Sequence, residues 1–454
     1  MPLKLFRMKW LRKKAYRLVD RFRKTDAAGV FKEISESQWW PKDKLDDFQF
    51  RLLEELLIHC KNNVPYYTEL FQSIGFDPEK SFQLEDLQRI PILNKETIRS
   101  NYERLKAKNF NEYIPRTKQS GGSTGRPLNY IVDFRSHSYL AANNMRVWNA
   151  GSDYALGDRF ITVAHGSLLP RNNTFKNRIY FLLQNSLLIT SYHLNDRRLR
   201  KAIRRINRSS ALFLYGYSST IFMIARFAKA KNYPIKSSIR AICSTSDMLY
   251  PNQRALIEEV FGVTVYDSYG CPEGGIISFE CDRHDGYHLN QDSAFVEIDS
   301  PDDKGFGKII STPLYNYAFP MLRYDTGDVG KISEEVCSCG RSLPKISELG
   351  GRIRDFVILN DGRYIHGAFF NHFKPFYSND WIDEYQIIQK DYDRLVIKIS
   401  TRREPTDEDK NIIIKELQKG LLPDLKIEFD LGGVEYTSGG KFRLIISEVK
   451  TKWE

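Results

Sequence analysis

Between residues 155 and 310, apolar runs of strand length alternate with helical patterns. Arg159–Val163, Ala211–Leu214, Ile239–Cys243 and Val263–Tyr266 are examples of the runs. Thr220–Phe227 has the helical period, with Ser218 or Ser219 as its cap. This alternation predicts an α/β domain with mostly parallel strands, because parallel neighbours need a crossover long enough to hold a helix. Upstream, Leu52, Leu53, Leu56 and Leu57 mark a helix face, and Val64-Pro65-Tyr66-Tyr67 ends it. After Gly350-Gly351 the pattern changes. Phe356–Leu359, an Asn360-Asp361-Gly362 turn and Arg363–Ile365 read as a hairpin. Leu395–Ile399 reads as a strand and Asp407–Leu421 as a helix, giving a compact α+β unit of about 100 residues. The expected organisation is a basic amphipathic helix at 1–29, a large domain of sheets flanked by helices at 30–351, and a small C-terminal domain at 352–454.

Composition narrows the function classes. The 454 residues are 41% hydrophobic and 28% charged, which is a globular balance. No apolar run approaches the roughly 18 residues of a membrane span. Six cysteines are too few for a disulfide scaffold. The first residues lack an apolar core with a small-residue cleavage site, so the expected setting is reducing and cytoplasmic. Residues 1–24 hold ten Lys or Arg against Asp20 alone, so +9 of the net +11 sits in that segment. The nearly neutral remainder argues against nucleic acid as the partner of the body. Leu11, Ala15, Leu18, Val19 and Phe22 recur at helical spacing in the tail, with Trp10 and Tyr16 as amphipathic aromatics. Such a helix suits an anionic membrane surface, peripheral at the inner face. Alternatively it packs on its own protein, or meets another partner.

Five loops carry the chemistry. Ser120-Gly121-Gly122-Ser123-Thr124-Gly125-Arg126-Pro127 can curl its backbone N–H groups toward an anion, while Ser123 and Thr124 add donors and Arg126 adds charge. It lacks the Gly-Lys-Ser/Thr ending of a Walker loop. Asp267-Ser268-Tyr269-Gly270-Cys271-Pro272-Glu273-Gly274-Gly275 follows a predicted strand, where ligands gather in open α/β sheets. There Tyr269 offers an aromatic face and Glu273 a hard ligand for Mg2+. Tyr324-Asp325-Thr326-Gly327-Asp328 places a carboxylate after a glycine turn, suited to two ribose hydroxyls. Gly351-Arg352-Ile353-Arg354-Asp355 lies at the domain boundary, and Thr437-Ser438-Gly439-Gly440-Lys441 puts a lysine at the tip of a turn. Taken singly, each fits ordinary loop chemistry.

In this order, the five motifs resemble the adenylate-forming superfamily of acyl-CoA synthetases and peptide-synthetase adenylation domains. The likeness covers about residues 60–445. Asn63-Val64-Pro65-Tyr66-Tyr67 and Ile90-Pro91-Ile92-Leu93-Asn94-Lys95-Glu96 are similar to its phenylacetate-CoA ligase and capsular-polysaccharide CapK branch. The resemblance implies that Ser123, Thr124 and Gly125, with Arg126, hold the ATP phosphates. It implies that Tyr269 and Gly270 meet adenine beside Ser244, Thr245 and Ser246, and that Glu273 binds Mg2+. Asp328 would take the ribose with Arg352 beside it, and Lys441 would meet the carboxylate and α-phosphate. The small domain of this family is mobile and turns between two half-reactions. Two departures stand out. Arg354 occupies the hinge position where Asp or Lys is usual, and Glu435 stands where a proline often precedes the lysine loop. The acyl pocket is not legible: His165, Tyr215, Gly216 and Tyr217 are candidates that also suit core packing.

Cys281, His288, Cys337 and Cys339 form a separate set of three thiols and an imidazole, suited to a structural tetrahedral Zn2+. His284 is a substitute ligand, and reduced surface thiols are the plain alternative. Cys60, Cys243 and Cys271 read as packing residues. The expected reaction joins ATP and a carboxylic acid into an acyl-adenylate, then passes the acyl group to coenzyme A. Transfer to an amine acceptor in cell-surface polysaccharide synthesis is the alternative reaction. A non-catalytic scaffold on the same fold is the alternative outside enzymes.

Overall fold

The structure is a computed structural model that describes residues 16–120, 128–164, 175–190, 196–352, 356–361, 363–366, 369–370, 373–377, 379–435 and 443–449. It divides into two compact units. The first is Met1–Ser246 with Leu256–Thr326 and Gly330–Glu348; the second is Asp247–Ala255 with Gly327–Val329 and Leu349–Glu454.

In the first unit, residues 16–23 are helical and lead into helices Ala27–Ser37 and Lys42–Asn63. The latter buries Leu52, Leu53, Leu56 and Leu57 as their spacing requires. The helix at 16–23 is turned differently from the expected apolar face. Tyr16, Val19 and Asp20 point inward, while Leu18 and Phe22 stay 49% and 46% exposed. The buried Asp20 carboxylate sets this rotation. It accepts from Thr25 Oγ1 at 2.8 Å and from the Ala27 and Ala28 N–H groups at 3.0 and 3.1 Å, satisfying the start of the next helix. Tyr16 is therefore a core residue, and this part of the tail packs on its own protein.

Strands β1 (Arg116–Gln119) and β2 (Asn129–Val132) form an antiparallel pair. Strands β3 (Phe160–Ala164), β4 (Ser186–Thr190), β5 (Phe213–Tyr217), β6 (Ala241–Thr245) and β7 (Thr264–Tyr266) make a parallel sheet in the order β4-β3-β5-β6-β7. Its central strands are buried throughout, as β-sheets covered on both faces by helices must be. Trp148, on helix Phe134–Ser152, meets the rings of Phe160, Phe213 and Tyr215 at 4.8, 5.6 and 5.3 Å. Gly216 is fixed by close approach: a Cβ there would stand 2.1 Å from the Val163 carbonyl oxygen. The helix after β5 is Ser218–Ala230, and Tyr217 precedes it without a side-chain cap, so neither Ser218 nor Ser219 caps it.

The α/β alternation ends at β7, earlier than the sequence pattern suggests. After the short pair β8 (Gly270–Cys271) and β9 (Ile276–Ile277) comes an antiparallel-edged sheet in the order β10-β14-β13-β12-β11. Its strands are β10 (Tyr287–His288), β11 (Ala294–Asp299), β12 (Gly307–Pro313), β13 (Tyr324–Ser333) and β14 (Lys345–Arg352). The connection between β11 and β12 is too short for a crossover, so the two strands must run antiparallel.

The second unit contains the hairpin β15 (Phe356–Ile358) and β16 (Tyr364–His366). A four-stranded sheet follows in the order β19-β18-β17-β20, from β17 (Ile382–Asp391), β18 (Arg394–Thr401), β19 (Lys426–Asp430) and β20 (Ile445–Ser447). Helix Asp407–Gly420 covers it and is capped by Thr406, with Asp409 closing the capping box. Trp381, Ile387, Leu395, Ile397, Ile413 and Leu417 form the centre of its core. The mixed α/β class and the separate α+β C-terminal domain are as the sequence suggests.

Candidate functional site

The parallel pairing of β6 with β7 brings their C-terminal ends side by side. Ser244-Thr245-Ser246 leaves one end and Asp267-Ser268-Tyr269 the other. One buried carboxylate joins them. Asp267 Oδ1 accepts from Ser244 Oγ at 2.5 Å, and Oδ2 accepts from Tyr287 OH at 2.9 Å. Ser268 Oγ donates to the Ser244 carbonyl at 2.7 Å. The Asp267 N–H donates to Glu280 Oε2 at 2.8 Å, and the Glu280 N–H donates back to the Asp267 carbonyl at 3.0 Å. Asp267 was legible only as the first letter of a loop motif; no local spacing signals its role as a hub.

The hub supports the segment Tyr269–Gly275. The Tyr269 carbonyl accepts from both the N–H and the hydroxyl of Ser278, at 2.9 and 3.0 Å, so the backbone is held while the ring is half-buried. Glu273 sits in the single turn Pro272–Gly274. That turn is pinned on both sides: Ser311 Oγ donates to the Gly274 carbonyl at 2.6 Å, and Asn290 Nδ2 to the Gly275 carbonyl at 2.8 Å. Gly275 has φ +73°, a conformation a glycine takes without strain. Glu273 itself is half-buried and has no hydrogen-bond or ion-pair partner among the described residues. The turn thus holds a partly exposed carboxylate on a fixed backbone.

The glycine-rich loop springs from β1 and returns in β2. Ser120 closes its base, its N–H donating to the Leu128 carbonyl at 2.8 Å and its Oγ accepting from the Leu128 N–H at 2.9 Å. Ser123, Thr124, Gly125 and Arg126 lie outside the described residues, as do His165 and Lys441. The root of the loop is cationic. Arg116 and Lys118 alternate on β1, and Arg116 donates to His137 Nδ1 at 3.4 Å. Burial, with Arg23 and Arg116 beside it, lowers the Lys118 ammonium to about 8. Neither cation was singled out from sequence, because a strand with alternating charge reads as a solvated face. Asp328 is half-buried on β13, and Arg352 ends β14; both belong to the second unit. Tyr215 and Tyr217 are buried in the parallel sheet with Gly216 between them.

The thiol and imidazole set comes together. One ligand atom each from Cys281, His288, Cys337 and Cys339 lies within 4.8 Å of the other three. The Cys281 and Cys337 sulfurs are 3.7 Å apart, and Cys339 Sγ is 3.4 Å from His288 Nε2. His288 Nδ1 faces the Leu343 carbonyl at 3.4 Å, which orients the ring with Nε2 toward the sulfurs. Burial keeps His288 neutral, holding it down to about 4. Burial would raise the Cys339 thiol, but the Arg341 N–H groups outweigh it and bring it below its ordinary value. His284 is not in the set; its Nδ1 pairs with Glu280 Oε2 at 3.1 Å. Cys60, Cys243 and Cys271 are buried apart from it, as packing residues should be.

A family model described as the CapK C-terminal domain matches residues 357–448. The chain is 25% identical over 416 residues to the protein CapK of Staphylococcus aureus, covering 89% of this chain and 90% of that one. It is 25% identical over 333 residues to phenylacetate-coenzyme A ligase of Thermus thermophilus, covering 71% of this chain and 74% of the relative. Among solved structures, 2-hydroxyisobutyryl-CoA ligase in the postadenylation state in complex with 2-HIB-AMP is similar in fold. The TM-score is 0.69 at 18% identity, over 89% of this chain and 90% of that one.

Proposed function

The chain belongs to the phenylacetate-CoA ligase and CapK branch of the adenylate-forming enzymes, and from that premise we propose that it activates a carboxylic acid with ATP and transfers the acyl group to coenzyme A. A carboxylate is a poor electrophile because its charge is delocalised. Attack of one carboxylate oxygen on the α-phosphorus of ATP expels pyrophosphate and leaves an acyl-adenylate. The thiol of coenzyme A then displaces AMP. Bringing two anions together demands cations where charge builds up. The observation that supports the reading most is Glu273, a carboxylate without a partner among the described residues, on a pinned turn that follows Tyr269 in the chain, suited to Mg2+. In this reading Tyr269 and Gly270 hold adenine near Ser244, Thr245 and Ser246. Ser123, Thr124, Gly125 and Arg126 hold the phosphates. Asp328 and Arg352 take the ribose, and Lys441 meets the reacting carboxylate, on a small domain that begins near residue 352.

Carboxylate-dependent exchange of pyrophosphate into ATP tests the first step, across aryl, fatty, amino and sugar acids. Lys441→Ala should slow exchange by about 10²-fold or more. Exchange with no acid in the set, and an unchanged Lys441→Ala, would overturn the reading. Loss of coenzyme A thiol tests the second step. A second reading, with an amine of a cell-surface polysaccharide precursor as acceptor, draws on one observation: the likeness to CapK spans 89% of the chain, against 71% for the ligase of Thermus thermophilus. Adenylation without thiol loss would favour it.

The Cys/His set fits a structural zinc ion. With Zn–S bonds of about 2.3 Å, the edge of a tetrahedron is roughly 3.8 Å, and the Cys281–Cys337 separation of 3.7 Å matches it. All four ligands come from the chain, so the ion would have no open position for chemistry.

A further inference from the structure

The most concentrated charge among the described residues lies outside every motif of the sequence. Helix Asp196–Asn207, between β4 and β5, buries Leu199, Ala202, Ile203 and Ile206. Its outer surface carries Arg197, Arg198, Arg200, Lys201, Arg204 and Arg205, continued by Arg208, all exposed. At 100° per residue these seven cations fall within an arc of about 160°, and Arg197, Lys201, Arg204 and Arg208 within about 60° of one another. That row runs for about 17 Å along the axis. Six of the seven line a shallow cavity of 580 Å³ to which no other described residue contributes.

Most of this charge is not neutralised by the described residues. Asp196 is the one acid in the helix, 4.0 Å from Arg200. Arg197, Lys201, Arg204, Arg205 and Arg208 have no ion-pair partner among the described residues. On the helix Ser218–Ala230 packed alongside, Lys229 is already paired with Glu259. So many like charges on one face repel each other, and an external anionic partner removes that penalty.

We propose that this helix is a docking surface for an anionic phospholipid bilayer. The charge is complementary to a plane of phosphates, and the cations form a broad shallow array rather than a groove. The helix exposes no aromatic ring for stacking on bases and no Asn or Gln in the basic row for reading their edges, which disfavours nucleic acid. It also exposes no large apolar side chain, so attachment is electrostatic and falls with salt. Right-handed crossovers put this helix on the face of the parallel sheet opposite helix Phe175–Leu183, against which the described tail helix stacks through Phe22 and Tyr180. Attachment here therefore does not depend on the N-terminal tail.

Sedimentation of the full chain with phosphatidylcholine vesicles, with and without phosphatidylglycerol, tests the proposal. The expected result is binding only to the anionic vesicles, lost as salt is raised. The combined variant Arg197→Gln, Lys201→Gln, Arg204→Gln and Arg208→Gln should bind about 100-fold or more weakly. A control losing the same charge elsewhere, Lys304→Gln, Lys410→Gln, Lys415→Gln and Lys419→Gln, should bind nearly as the parent does. Equal loss in both variants, or loss only on deleting residues 1–15, would overturn the proposal. So would retention of RNA or polyphosphate without vesicle binding. Thermal unfolding of both variants, matching the parent, shows that each is folded. Pyrophosphate exchange without vesicles does not bear on this surface, so the catalytic reading can fail while this one stands.

Discussion

The loop Asp267–Gly275 and the Cys281, His288, Cys337 and Cys339 cluster meet at one short segment, Glu280-Cys281, yet they treat polar atoms in opposite ways. In the cluster every reactive atom faces another: sulfur faces sulfur at 3.7 Å, and the imidazole has a sulfur on one nitrogen and a carbonyl on the other. In the stretch Tyr269–Gly275, side chains from elsewhere are spent on holding the backbone. Ser278, Ser311 and Asn290 hold carbonyls, and the Glu273 side chain at the end of that scaffold is left without a partner among the described residues. A closed set of donors stabilises a fold, whereas an open donor on a rigid support is available to a ligand. Burial alone does not make the distinction. Cys243 and Cys271 are as buried as Cys281 and Cys337, and only the latter pair has soft neighbours.

Breaking the cluster should have the largest effect. Cys281→Ser with Cys337→Ser should lower the melting temperature by on the order of 10 °C, because a structural metal contributes directly to folding free energy. A chelator should do the same to the parent and little to the variant, with about one zinc per chain lost by elemental analysis. Equal melting temperatures and no metal would reduce the cluster to four ordinary side chains. Glu273→Gln should do the reverse. Pyrophosphate exchange should fall by about 10²-fold or more, while melting stays within about 1 °C, since the side chain supports nothing in the fold. A large drop in melting temperature would place Glu273 among the structural groups instead.

These two regions were not equally legible. Cys281 with His288 and Cys337 with Cys339 are two close pairs of ligand types that suit few chemistries, so the sequence offers the cluster as a zinc set, with His284 as a substitute and free thiols as the alternative. Glu273 was legible through its place in an ordered series of motifs. Asp267 was not, although it opens the same loop. Its partners Ser244 and Tyr287 are 23 and 20 residues away in opposite directions; the pairing of β6 with β7 brings in Ser244, and Tyr287 comes from β10 of the other sheet. The tail helix makes the same point. Its period was readable but its rotation was not, because Asp20 spends its carboxylate on the next helix and turns Leu18 and Phe22 outward. The reach of the α/β alternation was overestimated for a local reason. An apolar run in β11 looks like one in β6, and only the length of the following connection separates them.

Asp267→Asn tests the hub that supports the open loop. Asparagine keeps one acceptor oxygen in place of two, so one of the Ser244 and Tyr287 hydroxyls must turn from donor to acceptor toward the new amide N–H. The cost should be about 1–3 kcal/mol in unfolding free energy. The KM for ATP should rise more than kcat falls if, as proposed, the loop that Asp267 positions meets adenine and Asp267 does not touch the reacting atoms. A fall in kcat with KM unchanged would instead put Asp267 in direct contact with the transition state.

The smallest effect should come from Glu280→Gln. The amide oxygen can still accept from the Asp267 N–H, while the pairing with the partly exposed His284 ring is weakened. The loss alone should be below about 1 kcal/mol. Its value lies in combination. Glu280 holds Asp267 by side chain and backbone and is bonded through the chain to Cys281, so it is the physical route by which the closed cluster steadies the open loop. A double-mutant cycle of Glu280→Gln against Cys281→Ser, read out as the KM for ATP, should give a coupling of about 0.5 kcal/mol or more. Strict additivity would mean that the two regions are neighbours without being coupled, and that the cluster serves the second sheet alone.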